Sequence, residues 1–204
     1  MLKLIIFDLD GVIFDTEKNM IHSWREVKKK YKLKKNFKDY KKNVGLPFFK
    51  ILKNLGINKN QKKITESYKF HSIKNDNMIK LFPKVKSILK KLSKDFILAV
   101  VTSKDCVRTR RLIKKFNLSF QCISCPKKNL RGKPFPDQIY YVLKKTNIKD
   151  KSKVIYVGDT RFDYLAAKRA KINFIHASYG FEKKIKGSRN GIENFYEIAE
   201  YLYE

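Results

Sequence analysis

Short apolar runs that alternate with amphipathic helical segments are the feature that most constrains the fold of this chain. The longer runs are interpreted as buried strands, and they lie at about residues 3–7, 96–101, 154–157 and 172–175. Wholly apolar strands that alternate with helices are typical of a parallel sheet covered by helices on both faces. The sequence therefore predicts an α/β fold with a Rossmann-like parallel sheet.

One long segment interrupts this alternation directly after the first predicted strand. Its apolar residues Met20, Trp24 and Val27 recur at three- and four-residue spacing, which predicts an amphipathic helix. We predict further helices and no strand between residues 15 and 80. A chain of 204 residues can form one sizeable core with a small insertion. We therefore expect a core domain of residues 1–14 and 82–204, with an inserted helical domain of residues 15–81.

Polar side chains follow three of the predicted strands at the point where each strand ends. Asp8 and Asp10 follow the first strand, Thr102 and Ser103 another, and Asp159 a third. Ligands of parallel sheets bind at the carboxyl ends of the strands, so we expect these residues to converge. Two carboxylates at the end of a buried strand are costly unless a positive charge offsets them. This convergence predicts a metal-binding or phosphoryl-transfer site.

The four aspartates of this region take distinct roles in such chemistry. Asp8 is the candidate nucleophile, and Asp10 the acid that protonates the leaving oxygen and later activates water. Asp159 completes a Mg²⁺ site with Asp8, and Asp163, one helical turn later, orients the waters of the metal. The predicted metal-binding set is therefore Asp8, Asp10, Asp159 and Asp163.

A second group of residues is predicted to hold the phosphoryl group. The hydroxyl groups of Thr102 and Ser103 precede a predicted helix, whose backbone N–H groups favour phosphate oxygens. Gly11 permits a sharp turn and the close approach of a ligand. Lys133, between Gly132 and a proline, is the candidate catalytic cation.

Taken together, these segments resemble the motifs of the haloacid dehalogenase superfamily of aspartate-dependent phosphohydrolases. The matching segments are Asp8-Leu9-Asp10-Gly11-Val12, Thr102-Ser103, Lys133 in a Gly-Lys-Pro-x-Pro-Asp context, and Gly158-Asp159-Thr160-Arg161-Phe162-Asp163. The resemblance covers essentially the whole chain, and four motifs in order are far more specific than one. It implies a Rossmann-like sheet, Mg²⁺, and a small helical cap formed by residues 15–81. The most similar subgroup is that of the phosphoglycolate phosphatases and β-phosphoglucomutases.

The same resemblance favours hydrolysis over the other reactions of the superfamily. The mutases usually have a cap histidine where this chain has Met20, and His22 is two residues out of register. Leu46 follows the cap glycine where the mutases have an arginine, and dehalogenases lack the second aspartate, here Asp10. We therefore expect an Mg²⁺-dependent phosphatase that hydrolyses a small phosphate monoester, phosphoglycolate- or sugar-phosphate-like, through an aspartyl-phosphate. A β-phosphoglucomutase-like mutase is the alternative.

The net charge of +29 raises a different alternative, a non-catalytic nucleic-acid-binding protein. The lysines are spread along the chain, which is also rich in Ile and Asn and poor in Ala, as an AT-rich genome produces. We therefore interpret the charge as compositional and expect a small phosphorylated metabolite as partner, with no nucleic acid and no membrane. We expect a monomer or weak dimer. Arg108, Arg110 and Arg111 could grip a substrate, but we interpret them as a solvated helix face.

Three cysteines are present, at positions 106, 122 and 125. The Cys122-x-x-Cys125 pair has no second pair or nearby histidine to complete a zinc site. We expect two buried thiols near a strand end, as in a reducing cytosol. Because Asp8 and Asp10 interrupt the first apolar run, we expect no signal peptide and a cytoplasmic location.

Overall fold

The computed structural model describes residues 1–203. In chain order the strands are β1 (Leu4–Phe7), β2 (Phe14–Asp15), β3 (Lys80–Leu81), β4 (Ile97–Val101), β5 (Cys122–Ser124), β6 (Val154–Gly158), β7 (Asn173–Ala177) and β8 (Gly191–Ile192). The helices are α1 (Glu17–Lys30), α2 (Phe37–Lys41), α3 (Phe48–Asn54), α4 (Gln61–Lys74), α5 (Val85–Leu92), α6 (Cys106–Lys115), α7 (Asp137–Lys145), α8 (Arg161–Ala170) and α9 (Glu197–Tyr203).

A six-stranded sheet in the order β5-β4-β1-β6-β7-β8 forms the centre of the fold. Every neighbouring pair of its strands is parallel. Every residue of β1 and β6 is buried, as expected for strands covered on both faces. The predicted α/β class with a parallel sheet is confirmed.

Each face of the sheet has its own hydrophobic core. Ile5 and Phe7 belong to one core, while Leu4 and Ile6 belong to the other, because successive side chains of a strand point to opposite faces. In the sheet Phe7 lies beside both Val100 of β4 and Val157 of β6. This register brings the polar residues that follow β1, β4 and β6 to one edge of the sheet.

Helices α1 to α4 surround a third hydrophobic cluster, which contains Trp24 and Val27. The antiparallel pair of β2 and β3 connects this segment to the sheet domain, with Phe14 beside Leu81. The prediction of no strand between residues 15 and 80 is therefore wrong at both borders. A two-residue strand has too short a pattern to be recognised, and its partner lies far away in sequence. The division into residues 1–14 and 82–204 with an insertion at 15–81 stays a prediction.

The short strand β8 was not predicted, and it is followed by the last helix, α9, which begins at Glu197. Among residues 1–203, no helix combines the length and the apolar character that crossing a membrane requires.

Candidate active site

Asp8 and Lys133 form a buried ion pair at the carboxyl end of β1. Asp8 is 3% exposed and Lys133 is 0% exposed, and Lys133 Nζ lies 2.8 Å from Asp8 Oδ1. Burial raises the pKa of Asp8 to about 7, although the lysine acts in the opposite direction. Burial alone would lower the pKa of Lys133, but the carboxylates of Asp163 and Asp8 outweigh it and raise that pKa. The lysine therefore stays charged beside the predicted nucleophile.

Three of the four predicted metal-binding aspartates come together. Asp8, Asp159 and Asp163 each offer an oxygen, and these oxygens lie within 4.8 Å of one another. Asp159 Oδ2 accepts a hydrogen bond from the backbone N–H of Phe181 at 2.7 Å, whereas its Oδ1 has no partner among residues 1–203. Burial, followed by the charges of Asp163 and Asp8, raises the pKa of Asp159 well above its usual value. Clustered carboxylate oxygens with one left unpartnered fit a hard divalent cation such as Mg²⁺.

Asp163 also has a structural role at the start of α8. Its carboxylate accepts hydrogen bonds from the backbone N–H and the hydroxyl of Thr160, at 3.1 and 2.6 Å, and so caps α8. The hydroxyl of Tyr156 also donates to it at 2.8 Å, and Lys133 Nζ lies 2.5 Å away. These contacts fix Asp163 in position and, through Lys133, position Asp8.

Two glycines allow the backbone to pass close to Asp159. A Cβ atom at Gly11, whose φ is +84°, would lie 2.0 Å from Asp159 Oδ2, and a Cβ atom at Gly180 would lie 2.4 Å from the same oxygen. Only glycine fits such contacts. Gly11 thus makes room for a carboxylate of the predicted metal site, while its assignment to phosphate binding stays a prediction.

The carboxylate of Asp10 lies outside the aspartate cluster and faces a neighbouring cavity. Its Oδ2 is 3.1 Å from Nζ of Lys104, which is buried and was not predicted as a site residue. Burial lowers the pKa of Lys104, although Asp10 acts in the opposite direction. The signal that could have identified this lysine is its position directly after Thr102-Ser103, at the end of a buried strand.

Thr102 and Ser103 both line the cavity, but their hydroxyl groups differ. Thr102 Oγ1 accepts a hydrogen bond from the backbone N–H of Lys104 at 3.1 Å, so its own proton is available to a ligand. Ser103 Oγ donates to the backbone carbonyl of Gly45 in the helical insertion at 2.6 Å. In this arrangement Ser103 links the insertion to the sheet domain, and its predicted role as a phosphate ligand stays untested.

The cavity has a volume of about 40 Å³ and lies between the end of the sheet and the helical insertion. Asp8, Asp10 and Thr102 line one side, and the insertion contributes mostly apolar residues together with Tyr40 and Tyr68. Arg108 of α6 also lines it and is only 9% exposed. The interpretation of three solvated arginines is therefore wrong for Arg108. Its spacing from the buried Leu112, one helical turn on, is the signal that placed it on the inner face.

The cysteine prediction is also corrected. Cys106 at the start of α6 and Cys125 after β5 form a disulfide, and only Cys122 is a free buried thiol. Parallel pairing of β4 with β5 brings these two positions together, with a Cα–Cα distance of 5.4 Å. The pattern Cys122-x-x-Cys125 does not indicate the partner of Cys125, which is Cys106. The argument from free thiols for a reducing compartment is therefore lost.

Comparisons with known proteins agree with this geometry. A family model described as "Haloacid dehalogenase-like hydrolase" matches residues 5–177. A phosphoglycolate phosphatase of Aquifex aeolicus is 28% identical over 187 residues, covering 89% of this chain and 87% of the relative. The pyrophosphatase PpaX of Oceanobacillus iheyensis is 25% identical, with 84% and 81% covered. A haloacid dehalogenase-like family hydrolase of Streptococcus pneumoniae shares the fold, with a TM-score of 0.87, 20% identity and 98% of each chain covered.

Proposed function

The chain belongs to the haloacid dehalogenase-like hydrolases, and from this premise we propose that it is an Mg²⁺-dependent phosphatase acting on a small phosphate monoester. The observation that carries the proposal is the buried Asp8, which is paired with Lys133 and lies within the aspartate cluster at the base of a small cavity. A carboxylate in this setting is suited to attack phosphorus, because adjacent positive charge stabilises the transferring group.

In the proposed reaction Asp8 attacks the phosphorus atom and the bond to the ester oxygen breaks. Asp10 donates a proton to that oxygen, and an alcohol leaves. Asp10 then accepts a proton from a water molecule that attacks the aspartyl-phosphate, which releases inorganic phosphate and regenerates Asp8. Lys133 and the hydroxyl of Thr102 stabilise the phosphoryl oxygens. Mg²⁺ held by Asp8, Asp159 and Asp163 would supply additional positive charge at these oxygens.

Substrate size is the second part of the proposal. Ligand pockets in proteins usually measure about 300–1,000 Å³, so a cavity of about 40 Å³ favours a substrate with few atoms beyond the phosphoryl group. This volume favours a compact ester such as phosphoglycolate over a hexose phosphate. Relatives named phosphoglycolate phosphatase and pyrophosphatase are in keeping with that size.

We prefer hydrolysis to a mutase reaction because of the side chain that lies in the cavity. Met20 lines the cavity, whereas His22 lies outside its lining, with Nδ1 3.1 Å from Arg25 Nη2. No imidazole of the insertion is therefore placed to assist a second phosphoryl transfer. We further propose that residues 15–81 close over the substrate and that the protein is a cytoplasmic monomer or weak dimer.

The test is phosphate release from a panel of phosphate monoesters in the presence of Mg²⁺. Replacing Asp8 with Asn removes the nucleophile with little change in size, and we expect turnover to fall at least about 10³-fold on the best substrate. Asp150→Asn is the matched control, because Asp150 is exposed and bonds only to nearby residues of its own turn. Turnover by Asp8→Asn at the rate of the unmodified protein would contradict the mechanism.

A further inference from the structure

The cavity beside Asp8 has a cationic side that the reaction itself does not use. Lys104 and Arg108 are both buried and both line it. Lys104 is already paired with Asp10. Arg108 is the second cation of this wall, and its carboxylate partner is Asp105, which does not line the cavity.

Arg108 is held firmly in place by its own helix and by the insertion. Its Nε lies 2.5 Å from Asp105 Oδ2, and its Nη1 donates to the hydroxyl of Ser72 at 3.1 Å. The guanidinium carbon lies 5.6 Å from the ring centroid of Tyr68. These hydrogen bonds account for two of the five N–H groups of the side chain. A fixed guanidinium with further donors is a preorganised site for a carboxylate or phosphate group.

The two phenol groups of the insertion add a neutral donor to the same cavity. Tyr40 donates a hydrogen bond to the hydroxyl oxygen of Tyr68 at 3.0 Å, so the proton of Tyr68 has to point elsewhere. Burial raises the pKa of Tyr68 to about 12 and that of Tyr40 well above its usual value, so both stay protonated at neutral pH. The Tyr68 hydroxyl is thus a second donor beside the guanidinium.

A purely structural role for Arg108 accounts for only part of this arrangement. Its contacts with Asp105 and Ser72 would brace the insertion against α6 whether or not the side chain reached the cavity. They do not account for the presence of a guanidinium and two phenols in the lining of the cavity that also contains Asp8. Polar groups that converge on a small cavity are the usual sign of ligand selection.

We propose that Arg108, assisted by the hydroxyl of Tyr68, binds a second anionic group of the substrate. The protein then selects compact phosphate monoesters or anhydrides that also carry a carboxylate or a second phosphate, and it discriminates against neutral esters of equal size. This inference rests on the proposed function, since it names the substrate class of the same site. Arg108 acts as a specificity-determining residue and takes no part in bond breaking.

The kinetic test compares substrates that differ in the tail alone. Phosphoglycolate and pyrophosphate carry the second anion, and 2-hydroxyethyl phosphate is the neutral counterpart of phosphoglycolate. For Arg108→Gln we expect kcat/KM to fall about 10- to 100-fold on an anionic substrate, which corresponds to one hydrogen bond to a charged group. On the neutral ester the fall should be less than about threefold. Arg110→Gln, exposed on the same helix, is the matched control.

Because Arg108→Gln also removes the ion-pair partner of Asp105, a second variant controls for that loss. Asp105→Asn/Arg108→Gln leaves no unpaired buried charge, and asparagine keeps the helix cap that Asp105 provides through the N–H of Arg108. The same selective loss is expected from this double variant. An equal loss on the anionic and neutral substrates, in both variants, would show that Arg108 is structural and overturn the inference.

A binding measurement separates failure of this inference from failure of the proposed function. Calorimetric titrations with 3-phosphonopropionate, methylenediphosphonate and 3-hydroxypropylphosphonate need no turnover. We expect Arg108→Gln to weaken one or both anionic analogues at least tenfold and to leave the neutral analogue within threefold, and the more affected analogue identifies the tail as carboxylate or phosphate. Unchanged binding of both anionic analogues would overturn the inference. Selective binding without turnover of any ester would leave it standing and reject the proposed hydrolysis.

Discussion

Replacing Asp159 with Asn is expected to stabilise the protein in the absence of metal and to abolish its response to Mg²⁺. Asp159 is fully buried, and its oxygen lies within 4.8 Å of those of Asp8 and Asp163. Two unit charges at that separation repel by about 3.5 kcal/mol at an effective dielectric constant of about 20. Partial protonation relieves some of this repulsion, so we expect a gain of about 2 kcal/mol. For a chain of this size that is about 4–8 °C in Tm.

Asp163→Asn provides a matched comparison within the same cluster, and its effect should have the opposite sign. Its carboxylate accepts hydrogen bonds from Thr160 and Tyr156 and pairs with Lys133. An asparagine amide would turn N–H groups toward some of these donors and leave Lys133 with a single carboxylate partner. Breaking a buried ion pair costs about 3–5 kcal/mol, so Tm should fall by at least about 6 °C.

Thermal unfolding followed by circular dichroism in EDTA and in Mg²⁺ measures both effects. In the unmodified protein, Mg²⁺ at about 100 times its Kd adds about 2.7 kcal/mol, which is about 5–11 °C at the same conversion. Asp159→Asn should lose this shift because it lacks one carboxylate of the cluster. The order of the two Tm values should therefore reverse, with Asp159→Asn more stable in EDTA and the unmodified protein more stable in Mg²⁺.

The advantage of Asp159→Asn in EDTA should also grow with pH. Burial raises the folded-state pKa values of Asp8 and Asp159, so the folded protein retains these protons longer than the unfolded chain. Their contribution to stability is present below about pH 4 and is lost as pH rises, for Asp8 between 3.8 and about 7. A variant that is less stable than the unmodified protein in EDTA at pH 8, or that keeps the Mg²⁺ shift, would refute the reasoning.

Two further predictions concern, first, the contact between the insertion and the sheet domain and, second, the state of the cysteines. Gly45→Ala would bring a Cβ atom 2.5 Å from Thr160 Oγ1, so we expect a lower Tm and at least a tenfold lower kcat/KM. Gly56→Ala, at a φ of +74° with nothing within 4 Å of the added Cβ atom, should lower Tm without lowering kcat/KM. Equal losses of activity in the two variants would contradict a role of the Gly45 contact in catalysis. In denaturant without reductant, titration should detect one thiol, that of Cys122, and with reductant it should detect all three thiols. Detection of three thiols without reductant would exclude the disulfide.

The sheet and the core of the site could be predicted because their signals are local. The buried strands are continuous apolar runs, and Asp8 and Asp10 are two residues apart at the end of one of them. Lys133 is identified by the glycine and proline that flank it. Parallel pairing then requires strand ends to meet at one edge, so the convergence of Asp8 and Asp159 follows from the fold class alone.

Arg108 shows where prediction from the sequence ended. The spacing of Arg108 and Leu112 places both on one face of α6, but a basic residue on a helix is most often solvated. Burial of the guanidinium depends on Ser72 and Tyr68, which belong to the insertion and lie 36 or more positions earlier in the chain. The partner of Cys125 was missed for a similar reason, since Cys106 is 19 residues away and pairs through the register of β4 and β5.

By itself the sequence determined the parallel sheet and the aspartates that meet at the end of β1, and it predicted the helices that follow. These follow from hydrophobic period and from residues that are neighbours along the chain. Only the tertiary structure decided which side chains of the insertion and of α6 enclose the cavity, and that Ser103 bonds to Gly45. Such contacts join segments that are distant in sequence, and their geometry is set by packing of the two parts against each other, which no local pattern encodes.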